Sequence, residues 1–228
     1  MPDAQLTMSD TLVLFDLDGT LIDSAPDLCA AANRLRTRRG LPALSFEALR
    51  EYCGSGARGM VWQSMRMAPG TDSFEILRKE FLDDYGQHMN DNSRVFEGVR
   101  AMLSSLTESD IVWGIVTNKS AVFARPICEE KGLLPQASCL VSGSDMGKMK
   151  PLPDPVLEGV KQSGTEFKTV IYVGDDYRDA LAAQAAGTHF IAAGWGYTKA
   201  TVDITNWKAD AVARSPIELP QIVRQLSA

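Results

Sequence analysis

Two aspartates spaced by one residue, Asp16 and Asp18, sit at the end of the apolar run 11–17 and lead straight into Gly19-Thr20. In an extended chain that spacing turns both carboxylates to one face. Like charges held together repel, so either a cation lies between them or one of them keeps a proton. A nucleophile beside a general acid/base, with a hard divalent cation, meets that requirement; a capping aspartate beside a loop aspartate is the structural alternative. A second acidic cluster, Gly174-Asp175-Asp176-Tyr177-Arg178-Asp179, again ends an apolar run and opens a helix. Asp175 and Asp179 are four apart and share a helical face if both lie in the first turn. Asp176 reads equally well as an acid favoured by the helix dipole. If the two clusters meet at neighbouring strand ends, their carboxylates demand positive charge.

Lys150 offers that charge. It stands in KPLPDP, where Pro151, Pro153 and Pro155 stiffen the loop and restrict the residue before each; a plain connector lysine is the alternative. Thr117-Asn118-Lys119-Ser120 follows the run 111–116 and precedes the amphipathic stretch 121–131. A strand end running into a helix start presents backbone N–H groups and a hydroxyl to an anion, or simply caps the helix.

Elements must hold these residues in place. Apolar runs at 11–17, 111–116, 139–142, 170–173 and 189–192 alternate with helix-length segments. That alternation predicts an α/β fold, a doubly wound parallel-sheet (Rossmann-like) core whose ligands bind beyond the carboxyl ends of its strands. The stretch between the first two runs is far too long for one crossover and reads as helix at 26–38, 45–52, 56–67 and 72–90. The expected division is a core of residues 1–23 and 94–228 and a smaller inserted α-helical cap of residues 24–93. Gly, Ser and Asn near 19–24 and 92–98 would serve as hinges.

Composition narrows the partners. With 23 Lys+Arg against 29 Asp+Glu the net charge is −6, which disfavours nucleic acid as a partner. The basic run Arg34, Arg36, Arg38 and Arg39 reads as a solvated helix end. Four scattered cysteines, with no C-x-x-C pair, predict reduced core thiols and no zinc set. Residues 1–10 lack a leader pattern and no run is long enough to span a membrane, so a cytoplasmic protein without membrane partners is expected.

FDLDGTLIDSAPDL (residues 15–28), Thr117-Asn118, Lys150 in KPLPDP, and Gly174-Asp175 with Asp179, in this order, resemble the haloacid dehalogenase superfamily of phosphohydrolases over nearly the whole chain. The resemblance implies a catalytic nucleophile at Asp16, which forms an aspartyl-phosphate. It implies Asp18 as the acid that protonates the leaving oxygen and later activates water. Mg2+ would be held by Asp16, the Asp18 backbone carbonyl and Asp175. Thr117 and Asn118 would hold phosphoryl oxygens and Lys150 would neutralise them, with Asp179 positioning Lys150 or metal waters. Asp176 departs from the Ser or Thr often found at its position, which leaves open an altered metal affinity or a simple cap.

Within the superfamily, DSAPDL (residues 23–28) and Trp195-Gly196-Tyr197 resemble phosphoglycolate phosphatases. The implied partner is a small phosphorylated metabolite, phosphoglycolate first, bound by a monomer or homodimer. Sugar phosphates, nucleotides and a phosphoglucomutase-like transfer stay open, because a few cap contacts redirect specificity. Ser55, Gly56 and Arg58 fall where such caps carry a substrate loop, with Arg58 placed to meet a substrate carboxylate or to stand exposed in a helix turn. A receiver-type switch uses the same chemical parts, but in one uninterrupted domain of about 120 residues.

Overall fold

The computed structural model describes residues 10–164, 166–198 and 203–228; the segment 1–9, expected to carry no leader, lies outside the described residues. Strand β1 (Thr11–Phe15) is buried at every position. After a tight turn come the two-residue strand β2 (Ile22–Asp23) and four helices, α1 (Ala25–Thr37), α2 (Phe46–Arg50), α3 (Gly56–Met65) and α4 (Asp72–His88). Strand β3 (Arg94–Val95) then pairs antiparallel with β2, so the two chain crossings at the helical insertion are zipped to each other. The remainder alternates: α5 (Val99–Glu108), β4 (Val112–Thr117), α6 (Ala121–Glu130), β5 (Leu140–Ser142), α7 (Asp154–Ser163), β6 (Thr169–Gly174), α8 (Tyr177–Ala186), β7 (His189–Ala193), β8 (Ala211–Ala213) and α9 (Leu219–Leu226).

Six strands form a parallel sheet in the order β5-β4-β1-β6-β7-β8. Near-continuous apolar strands suit a sheet covered on both faces. One face packs Val13, Phe15 and Ile171 against α5, α6 and α9; the other packs Leu12, Leu14 and Tyr172 against α7 and α8. The chain leaves β1 for β4 and β5 on one side, then crosses to β6 on the other. The switch point therefore lies at the carboxyl end of β1.

Helices α1 to α4 share an apolar cluster of their own, including Leu28, Leu35, Phe74, Phe81 and Tyr85. The basic run that reads as a solvated helix end does something else. Arg34 (2.6 Å) and Arg38 both pair with the buried Asp84 of α4, and Arg39 pairs with Glu80 at 2.7 Å, so the run fastens α1 to α4. Asp27, expected only as part of a motif, is buried and accepts from Asn92 and Ser93 through both their main-chain N–H groups and their side chains at 2.7–3.1 Å. It ties the first turn of α1 to the returning strand.

Three differences from the sequence expectation have local causes. β1 stops at Phe15 rather than residue 17, because Leu17 O turns inward to accept from the N–H groups of Leu21 and Ile22. β8 is an edge strand of three residues, too short for a periodic signal. β2 and β3 are shorter still and exist only through each other. All four cysteines are free and buried. Among the described residues, no helix is long and apolar enough to cross a membrane.

Candidate active site

Asp16 follows β1 and its N–H donates to Val173 O at 2.9 Å, which locks the end of β1 beside the end of β6. Gly174 closes β6 and Asp175 follows. Asp176 caps α8 and Asp179 sits at the third position of that helix in a reciprocal capping box, so Asp175 and Asp179 meet across the strand-to-helix turn and not within one helical turn. Ligand atoms of Asp16, Asp175 and Asp179 lie within 4.8 Å of one another.

Lys150 enters this cluster from the loop after β5. Its ammonium is 2.8 Å from Asp16 Oδ1 and 2.7 Å from Asp179 Oδ1, and it donates to Tyr172 Oη at 2.8 Å. Burial alone would lower the Lys150 pKa, but the Asp16 and Asp179 carboxylates raise it well above the ordinary lysine value. Asp175 is pushed well above the usual carboxylate range, first by burial and then by the charges of Asp16 and Asp179. Burial likewise lifts Asp179 to about 7 against the pull of Lys150. One ammonium against three carboxylates leaves the cluster short of positive charge.

The surroundings fit a small cation. Asp16 Oδ1 is buried and accepts no hydrogen bond, Lys150 meeting it only as an ion pair. Asp175 accepts from Thr20 Oγ1 (3.0 Å) and Tyr197 N (2.8 Å), which fix its carboxylate. A Cβ on Gly19 would lie 2.3 Å from Asp175 Oδ2, and one on Gly196 2.2 Å from its Cβ. Only glycine lets the main chain after Asp18 approach that carboxylate, and Gly19 at φ +91 also takes a conformation side chains resist. All-oxygen donors of this kind suit Mg2+.

Asp18 points elsewhere. It accepts from Ser24 Oγ at 2.5 Å and from Lys119 Nζ at 3.1 and 3.2 Å, and Lys119 also donates to Tyr85 Oη of α4 at 2.8 Å. Burial, foremost, pushes the Tyr85 hydroxyl up to about 12, so it stays protonated. Lys119 stands inside a motif the sequence singles out, yet nothing in its spacing distinguishes it from an exposed lysine.

Thr117 ends β4, with Oγ1 accepting from Lys119 N at 3.1 Å. The expected phosphoryl ligand Asn118 has a different pair of partners: Oδ1 accepts from Lys150 N (2.8 Å) and Nδ2 donates to Lys150 O (2.9 Å), so its amide clamps the Lys150 main chain. Asp176 accepts from Arg178 Nε at 2.7 Å, and Arg178 reaches on to donate to Gly54 O of the helical insertion. The residue that looked like a substitution for Ser or Thr thus holds a guanidinium that bridges to the loop before α3.

These groups open into a cavity of about 630 Å³ between the strand ends and helices α3 and α4. Ser55, Gly56 and Arg58 line it opposite Asp16, Asp18, Thr117 and Lys150. So do Phe81, Leu82, Tyr85, Phe123, Glu75 and Arg78, none of which the sequence singles out.

Residues 13–193 match the family model described as haloacid dehalogenase-like hydrolase. An N-acetylmuramic acid 6-phosphate phosphatase of Pseudomonas putida is 37% identical over 211 residues, 92% of this chain and 95% of its own length. A phosphoglycolate phosphatase of Xanthomonas campestris is 39% identical over 207 residues, 91% of this chain and 93% of its own. A crystal structure from Haemophilus somnus, described as a predicted phosphoglycolate phosphatase, superposes with a TM-score of 0.81 at 26% identity, covering 95% of this chain and 99% of that one.

Proposed function

The chain belongs to the haloacid dehalogenase-like hydrolases and is a phosphoric monoester hydrolase, and on that premise we propose that it is a Mg2+-dependent phosphatase of a small phosphorylated acid, working through an aspartyl-phosphate on Asp16. The observation that carries this reading is the cluster of Asp16, Asp175 and Asp179 around Lys150 at the switch point of the sheet.

In this reading the Asp16 carboxylate attacks phosphorus in line with the leaving oxygen, forming the acyl-phosphate bond as the ester P–O bond breaks. Asp18 donates the proton that the leaving oxygen needs and then takes one from the water that attacks the acyl-phosphate, so one group serves as acid and then base. Lys150 neutralises phosphoryl oxygens, Asn118 holds Lys150 in place through its main chain, and Thr117 offers a hydroxyl to the phosphoryl group. Mg2+ held by Asp16, Asp175 and the Asp18 main-chain carbonyl would supply charge neutralisation of the equatorial oxygens, the dominant demand in phosphoryl transfer. Asp179 keeps Lys150 aimed at Asp16, and residues 24–93 act as a cap that excludes water.

The two substrates to consider are phosphoglycolate and N-acetylmuramic acid 6-phosphate, for which the similar relatives are named. Both are phosphate monoesters that carry a carboxylate. The 630 Å³ cavity favours the larger, because pockets of about 300–1,000 Å³ suit ligands well beyond two carbons. Phosphate release from both, beside nucleotides and neutral sugar phosphates, tests the reading. Turnover of a phosphorylated acid with Mg2+, lost on chelation, is expected. Undiminished turnover in chelator, or none on any ester, overturns it.

A further inference from the structure

Helix α4 runs along the cavity wall from its mouth to the reaction centre. Glu75, Arg78, Leu82 and Tyr85 recur at three- and four-residue steps, hence on one face, and with Phe81 they line the cavity. Tyr85 marks the inner end, since its hydroxyl meets Lys119, the partner of Asp18. Arg78 lies seven residues earlier, about 10 Å back along the helix axis at 1.5 Å per residue.

Arg78 is lightly engaged. Its one ion pair among the described residues is with Glu75, 3.2 Å away and one turn off, with side chains 41% and 57% exposed; such exposed pairs contribute little. On α4, Phe81 and Leu82 lie between Arg78 and Tyr85, and Leu28 and Phe123 add further apolar lining to the same cavity.

We propose that Arg78 is a specificity-determining residue that anchors a carboxylate remote from the phosphate ester, so that the enzyme selects a ring-sized phosphorylated sugar acid over a two-carbon acid. The proposal rests on the phosphatase reading above. With its phosphoryl group at Asp16, phosphoglycolate ends two carbons away and leaves Arg78 paired with Glu75 and the apolar wall wetted. A hexose 6-phosphate with a carboxylate across the ring extends further along α4 towards Arg78, with a ring face for Phe81, Leu82 and Phe123 and two oxygens for the guanidinium fork. Helix α4 then acts as a ruler, with charge readers at both ends and an apolar spacer between.

The test compares phosphate release from N-acetylmuramic acid 6-phosphate, from N-acetylglucosamine 6-phosphate, which lacks the carboxylate, and from phosphoglycolate, by wild type, Arg78→Leu and Arg78→Lys. Wild type should prefer the muramic acid ester. In Arg78→Leu the ratio of kcat/KM for the muramic over the glucosamine ester should fall about ten- to a hundredfold, chiefly through KM. Arg78→Lys should recover part of that ratio, and the loss on phosphoglycolate should be the smaller. A parallel fall on all three esters, or a wild-type preference for phosphoglycolate, overturns the assignment. Absence of turnover on all three by wild type overturns the phosphatase reading itself and this assignment with it.

Discussion

Lys119 Nζ lies 3.1 Å from Asp18 Oδ2 and also donates to Tyr85 Oη of α4 at 2.8 Å. The contact joins Asp18, the proposed acid/base, directly to the helical insertion. Lys119→Met leaves Asp18 without its cation and Tyr85 without its partner. Since general acid/base catalysis contributes about 10²–10⁴ in rate, kcat should fall roughly a hundredfold in steady-state assays. An unchanged kcat would remove Lys119 from the account.

Arg178 joins Asp176 at the head of α8 to the Gly54 carbonyl, beside the cavity-lining Ser55 and Gly56. Arg178→Ala should loosen that loop more than it disturbs the chemistry. KM is expected to rise about tenfold with kcat falling less, consistent with loss of a charge-assisted hydrogen bond. A fall in kcat alone would place Arg178 in the reaction rather than in loop positioning.

Two buried carboxylates, Asp175 and Asp179, and the half-buried Asp16 against one ammonium predict a protein stabilised by metal. With Mg2+ at about a hundred times its dissociation constant, binding adds about 2.7 kcal/mol. For a chain of this size that raises Tm by about 5–10 °C. Asp175→Asn should blunt the rise in thermal melts with and without chelator, and an equal rise in the variant would locate the metal elsewhere.

Asp27 carries stability, not chemistry. Asp27→Ala leaves the buried Ser93 N–H and hydroxyl without their acceptor, and frees the N–H of the exposed Asn92 to water. The cost is about 3 kcal/mol or more, read as a fall in Tm of about 6–12 °C. A shift under 2 °C, roughly half a kcal/mol, would show that the junction of α1 and β3 is held by other contacts.

The sheet was legible because β1, β4 and β6 are buried on both faces and so run apolar without interruption, and the place of the candidate site because Asp16, Thr117 and Asp175 stand where those runs end. The rest was hidden for identifiable reasons. Lys119, Arg78 and Arg178 sit in ordinary polar surroundings in the sequence, and their partners are Asp18, the cavity and Gly54, the first and last more than a hundred residues away. Asn118 shows its type but not that its amide is taken up by Lys150, a contact across 32 residues. The basic run of α1 gives no hint of Asp84, because pairing between helices leaves no trace in the periodicity of either.

The central claim is that Asp16 is the nucleophile. Asp16→Asn preserves the shape of the side chain and removes its charge, so the fold should survive, as judged by circular dichroism and Tm. Initial rates of phosphate release from the preferred phosphorylated acid, measured with saturating Mg2+, should fall at least a thousandfold, a loss of roughly the scale seen when a nucleophile is removed. Turnover within about tenfold of wild type in a well-folded Asp16→Asn protein, a cost of no more than about 1.4 kcal/mol in the barrier, would contradict the account.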